Sequence, residues 1–160
     1  FKIVLCPHEM KKEFFEMLKG DLDPFNPMLY SELNPEKFTR FPKVLLINSI
    51  GKLAELYSYG HLSFVGGSFK GKVHNVLEPA IYGIPVFTGP FIKNSSEALH
   101  LKDSGLIELH EPEEFCEQIR SLIIHENIRL ETGHKAKIYV NNNLGISRKL
   151  CNELTAMEVL

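Results

Sequence analysis

Cysteine is scarce and badly placed for cross-linking: Cys6, Cys116 and Cys151 are odd in number, far apart and without a C-x-x-C pair. That excludes a disulfide framework and a zinc knuckle, and it fits a reducing compartment. Positive charge is not in excess either, because 18 Lys and Arg stand against 20 Asp and Glu, for a formal net charge of −2. Without a basic footprint, nucleic acid is not expected as a partner. No apolar run approaches the roughly 18 residues of a spanning helix, and no basic-then-apolar leader opens the chain. The chain is not expected to insert itself in a membrane. Carboxylates and histidines at metal-ligand spacing are missing too, so neither a metal nor a resident cofactor is expected. Internal repeats and low-complexity tracts are also lacking.

What is present is a chain of 160 residues, 44% of them apolar, enough for one domain with a sizeable core. Its first residue is Phe1, already inside an apolar run, so the natural protein is expected to continue N-terminally. Short aliphatic or β-branched runs recur at residues 3–6, 44–47, 62–65 and 84–87, with a weaker one at 106–109. Apolar throughout rather than alternating, they read as buried strands of a parallel sheet. Helical spacing fills the intervals at 9–19, 51–59, 75–82 and 94–102, and Gly20, Gly60 and Gly83 follow the first three as expected left-handed caps. The alternation predicts an α/β fold, a doubly wound and mostly parallel sheet. Three more helices are expected at the end, from Pro112 to about 125, near 128–139 and near 144–157. Residues 21–42 carry four prolines and predict a long connection with one short strand near 28–31.

In an open parallel sheet the ligand crevice lies beyond the carboxyl ends of the strands. The chain's polar motifs fall there: Pro7-His8-Glu9, then Asn48-Ser49-Ile50-Gly51-Lys52, then the stretch from Gly66 to Pro79, then Thr88-Gly89-Pro90 and Asn94. Gly66-Gly67 lets a backbone approach a ligand closely, and a helix starting near Asn75 directs free N–H groups at an anion. Asn75 and Glu78, three apart, share one helical face, where a carboxylate accepts hydrogen bonds from a ribose diol. Blander readings stand beside these. Gly66-Gly67 also fits a plain turn, His74 a capping histidine, Lys70, Lys72 and Lys52 solvated side chains, and Glu78 a favourable charge at a helix start.

Taken together, Phe64-Val65-Gly66-Gly67-Ser68, His74-Asn75-Val76-Leu77-Glu78-Pro79-Ala80, Tyr82-Gly83-Ile84-Pro85-Val86, Gly89-Pro90 and Asn94 resemble the donor-binding half of the bacterial Kdo transferases. Those enzymes move 3-deoxy-D-manno-octulosonic acid (Kdo) from CMP-Kdo onto the lipid A precursor in lipopolysaccharide biosynthesis. Ile50-Gly51-Lys52-Leu53 matches the family's Met-Gly-Glu-Leu segment in position, and Pro7-His8 stands where the family has Pro-Arg-His. The likeness covers the chain in order and is strongest over 44–94.

The resemblance implies the C-terminal, Rossmann-like domain of a GT-B glycosyltransferase, with the catalytic base, the acceptor site and the membrane-associating surface in an N-terminal domain outside residues 1–160. The intact enzyme is then expected at the cytoplasmic side of the inner membrane, and this part alone to be soluble and inactive. By position, Pro7 and His8 border the nucleotide, and Ile50, Gly51 and Lys52 meet CMP through backbone. Gly66, Gly67, Ser68, Asn75, Val76, Leu77 and Glu78 hold it, Glu78 on the ribose. His74 and Asn94 lie near the donor sugar. Three departures stand out: His8 replaces the family's arginine, Lys52 its glutamate, and the 69–73 loop is shorter. Two other readings remain: another GT-B sugar-nucleotide enzyme, such as a UDP-sugar transferase or 2-epimerase, and a non-catalytic nucleotide-binding module.

Overall fold

The computed structural model of the chain describes residues 1–34, 36 and 42–156. The chain forms two compact units, Phe1–Leu56 and Tyr57–Leu160. Its described strands are all parallel, in two three-stranded sheets, one in each unit. The α/β reading of the sequence holds, with the ladders divided between two small sheets.

In the first unit, β1 (Ile3–Leu5), β2 (Pro27–Leu29) and β3 (Val44–Leu46) pair in the order β1-β3-β2. The central strand is the most buried of the three, with Val44, Leu45 and Leu46 all inside. Helix α1 (Lys12–Asp21) makes the crossover from β1 to β2, the two parallel edge strands on either side of β3. It covers the sheet through Phe15 and Leu18, joined by Leu22, a spacing that places all three on one face. That packing also overrides the expected cap at Gly20: the Leu22 N–H bonds the Leu18 carbonyl at 3.0 Å, and the helix turns on through the glycine. The proline-rich connection carries β2 between single 3-10 turns at Asp23–Phe25 and Tyr30–Glu32. Residues 35 and 37–41 of that connection lie outside the described residues. The 51–59 helix of the sequence reading is a four-residue α2 (Leu53–Leu56) followed by a 3-10 turn, Tyr57–Tyr59.

The second unit has β4 (Ser63–Phe64), β5 (Val86–Thr88) and β6 (Leu106–Glu108) in that spatial order. Its helices are α3 (Leu77–Ile81), α4 (Ser96–Leu101), α5 (Pro112–Ile124), α6 (Glu126–Asn142) and α7 (Ile146–Ala156). Alternation along β5 sends Val86 into a core with Val76, Ala80, Leu101 and Ala136, and Phe87 into another with Leu109, Leu122 and Phe115. Helices α3, α4 and α6 therefore cover one face and α5 the other, which is the doubly wound arrangement.

Among the three expected glycine caps, only Gly83 takes a left-handed conformation, at φ +75°. Helix α3 begins two residues later than expected. Pro79 explains this, because its ring would clash with the carbonyl four residues back, and starting at Leu77 leaves that carbonyl, on Asn75, outside the helix. Helix α6 runs past its expected end near residue 139, through Asn141 and Asn142. The Asn143 side chain then donates to the Tyr139 carbonyl at 2.8 Å and ends the helix. Met157, expected in α7, lies outside the described residues.

Candidate functional site

Beyond β4 the chain doubles back in a tight loop. The Gly67 carbonyl accepts from the Lys70 and Lys72 amides at 2.9 and 3.2 Å, and the Gly66 carbonyl accepts from the His74 amide at 3.2 Å. Gly67 has φ +89°, and a Cβ there would overlap the Lys72 carbonyl oxygen and stand 3.1 Å from the His74 ring. Only glycine closes this loop. Ser68 is fully buried, its Oγ accepting from the Gly89 amide at 2.6 Å while its carbonyl accepts from the Phe91 amide at 3.1 Å. The serine thus ties the loop after β4 to the loop after β5. Lys70 and Lys72 are exposed.

The end of the loop is held by two asparagines. The Asn94 amide brackets Val73, its Oδ1 accepting from the Val73 N–H at 3.1 Å and its Nδ2 donating to the Val73 carbonyl at 3.3 Å. Asn75 Oδ1 accepts from the Leu77 N–H at 3.0 Å, an Asx turn into α3, and its Nδ2 donates to Glu78 Oε1 at 2.9 Å. Helix α3 has only five residues, and the Leu77 N–H is taken by Asn75. A helix this short, with its first N–H already bonded, offers little dipole at its N-terminus.

An open depression of about 430 Å³ lies over this corner. Val73, His74, Asn75, Val76, Leu77 and Asn94 line it, whereas Gly66, Gly67, Ser68 and Glu78 are not among its lining residues. Ser95 and Glu97 line it as well, and the sequence reading missed both. Their signal was an N-cap serine ahead of the apolar pair Ala98 and Leu101. Ser95 Oγ accepts from the Ala98 N–H at 3.1 Å, and the Ser95 and Ser96 hydroxyls donate to the Glu97 carboxylate at 3.0 and 3.2 Å. Glu97's own backbone N–H, then the Ser95 hydroxyl, hold its carboxyl below the usual carboxylate range. A depressed folded pKa contributes stability that is present above the ordinary glutamate value and lost as pH falls through the lowered one. Followed by NMR in acid, the Glu97 side-chain carbon is expected to titrate below an ordinary glutamate; a midpoint at or above the ordinary value contradicts these bonds.

The remaining expected residues lie in the first unit. Pro7 and His8 follow β1, Pro7 half-buried and His8 exposed. Ile50, Gly51 and Lys52 form the turn from β3 into α2, with Gly51 at φ +80° and Ile50 86% exposed. That turn is anchored by Asn48, whose side chain accepts from the Ser31 N–H at 3.1 Å and donates to Ser31 Oγ at 2.7 Å. Among the described residues, the Ser49 hydroxyl beside it is buried without a hydrogen-bond partner, and no cluster of three metal-ligating side chains occurs. No helix among the described residues is long and apolar enough to cross a membrane.

No protein-family model matches the chain. Curated relatives do. A 3-deoxy-D-manno-octulosonic acid transferase of Aquifex aeolicus is 30% identical over 135 residues, covering 81% of this chain and 36% of the relative. The enzyme of the same name from Chlamydia pneumoniae is 36% identical over 102 residues, 61% of this chain and 23% of the relative. That from Haemophilus influenzae is 28% identical over 149 residues, 91% of this chain and 32% of the relative. The chain thus spans well under half the length of the curated relatives it matches. In three dimensions it is similar to the crystal structure of the C-terminal CMP-Kdo binding domain of WaaA from Acinetobacter baumannii. The TM-score is 0.70 at 20% identity, over 83% of this chain and 70% of that one. The chain is a homologue of part of the Kdo transferases and has the α/β fold of a C-terminal CMP-Kdo binding domain.

Proposed function

We propose that residues 1–160 are the C-terminal donor domain of a Kdo transferase and bind the CMP part of CMP-Kdo. The observation that carries this reading is the Asn75–Glu78 pair beside the depression. With Asn75 Nδ2 on one oxygen, the Glu78 carboxylate is fixed in orientation and its other oxygen is left to accept from a ribose diol. His74, Asn75, Val76 and Leu77 line the depression next to it. For Pro7, His8 and the Ile50-Gly51-Lys52 turn of the first unit, a nucleotide role is supported by the resemblance alone, and there His8 and Lys52 replace the family's arginine and glutamate.

In the intact enzyme an acceptor sugar hydroxyl attacks the anomeric carbon of Kdo and CMP departs. The base, the lipid A precursor site and the contact with the cytoplasmic face of the inner membrane belong to an N-terminal domain outside these residues. This part alone is expected to be inactive.

Nucleotide preference separates this reading from a UDP-sugar transferase or 2-epimerase, and from a module that binds no nucleotide. Titrating the chain with CMP, CDP, UMP and UDP while following amide shifts over 66–78 should rank CMP tightest. Tighter UDP binding overturns the Kdo reading, and silence with all four overturns the nucleotide reading. Glu78→Ala is expected to weaken CMP binding by about 1–3 kcal/mol, the cost of losing hydrogen bonds to a charged group. Unchanged affinity in the folded variant removes Glu78 from the ribose.

A further inference from the structure

Backbone bonds hold Lys72 and His74 near the end of the nucleotide loop, and Val73 between them is held differently. Val73 lies in no strand or helix, its side chain is buried, and both of its backbone polar groups are met by one side chain, that of Asn94. Asn94 is 21 positions further along, on the loop that precedes α4. A primary amide offers a donor and an acceptor side by side without carrying charge, so it can replace a strand neighbour for a single residue. His74 and Asn75, which line the depression, follow Val73 directly. Ser68 fixes the other end of the loop through Gly89.

We propose that Asn94 is a positioning residue: it acts on the donor through Val73, setting where His74 and Asn75 stand, rather than by contact with the donor sugar. This rests on the donor-domain reading for its ligand, while its structural half stands without it.

The test compares Asn94→Ala and Asn94→Asp with the parent chain, reading hydrogen exchange of the Val73 amide, CMP affinity and thermal unfolding. Loss of the bracket in Asn94→Ala is expected to speed Val73 exchange roughly ten- to hundred-fold, the worth of about two net hydrogen bonds. CMP affinity should drop at least about fivefold, with global unfolding little changed. Asn94→Asp keeps the acceptor and loses the donor, so it should fall between the two in both exchange and affinity. Affinity lost with Val73 exchange unchanged overturns the proposal and makes Asn94 a direct contact. Exchange accelerated with CMP affinity intact overturns it as well. If the parent chain binds no CMP, the donor-domain reading fails by itself, and Val73 exchange still decides whether Asn94 holds the loop.

Discussion

Gly67→Ala is expected to weaken nucleotide binding at least about tenfold while leaving the second unit folded, at a cost of about 2–4 kcal/mol in stability. Two independent penalties combine at this position. The backbone has φ +89°, a region L residues rarely adopt, which costs roughly 1–2 kcal/mol even in open space. The space is not open: the added methyl overlaps the Lys72 carbonyl oxygen, a backbone atom whose own amide is bonded to the Gly67 carbonyl. Relief requires the 67–72 turn to open, and with it goes the His74 amide bond to Gly66 that aims the next two residues at the depression. Urea unfolding of the variant should show a lower midpoint with an unchanged slope. Titration with CMP should show at least a tenfold weaker response. Retained affinity would mean that the loop is not what the nucleotide meets. By contrast Gly71, also at positive φ, has nothing within 4 Å of an added Cβ, so alanine there meets only the backbone penalty and gives an internal comparison.

Much of this corner was legible from the residues. Near-continuous apolar runs marked the strands, because a parallel strand buried on both faces has no polar side to show. The glycine pair, the asparagine and the glutamate marked the loop, because each serves a backbone or hydrogen-bonding need that few other residues meet. Two things were not legible. The division into two sheets depends on which strands pair, a non-local matter that the composition of Val44–Leu46 or Val86–Thr88 does not encode. The Asn94–Val73 bracket joins residues 21 apart, and nothing in the local sequence of either announces the other. Helix ends failed in a similar way. Gly20 has the composition of a cap, yet burying Leu22 against β3 outweighs the local preference, whereas Gly83 meets no such competition and caps as expected. The resemblance to the Kdo transferases came from the order of the motifs, and the relatives and the fold carry it further than the charge pattern does.

Gly133→Ala sets helix propensity against packing. Gly133 lies in the interior of α6, where alanine is favoured over glycine by about 1 kcal/mol, so on propensity alone the substitution stabilises. The contact geometry argues the reverse. A Cβ at this position overlaps the Gly83 carbonyl oxygen and comes within 2.5 Å of the Gly83 carbonyl carbon and 3.0 Å of the Ile84 Cα. All three are backbone atoms just past the end of α3. They cannot rotate away, because the Gly83 amide is bonded to the Ala80 carbonyl at 3.0 Å and Ile84 leads straight into buried Val86 of the central strand. Accommodation must come from moving α6 as a body, which also pulls Ala136 and Val140 out of the core they share with Val76 and Ala80. Overpacking of this kind costs typically about 1–3 kcal/mol, and a backbone neighbour on the receiving side puts this case at the upper end. Net destabilisation of about 1–2 kcal/mol is therefore expected after the propensity gain. A fall of several degrees in the thermal midpoint checks it, and a rise would show that α6 is free to slide away from α3. Because α3 carries Glu78, the same variant should also weaken CMP binding, whereas Ala substitution at Gly145, with nothing within 4 Å of its Cβ, should not.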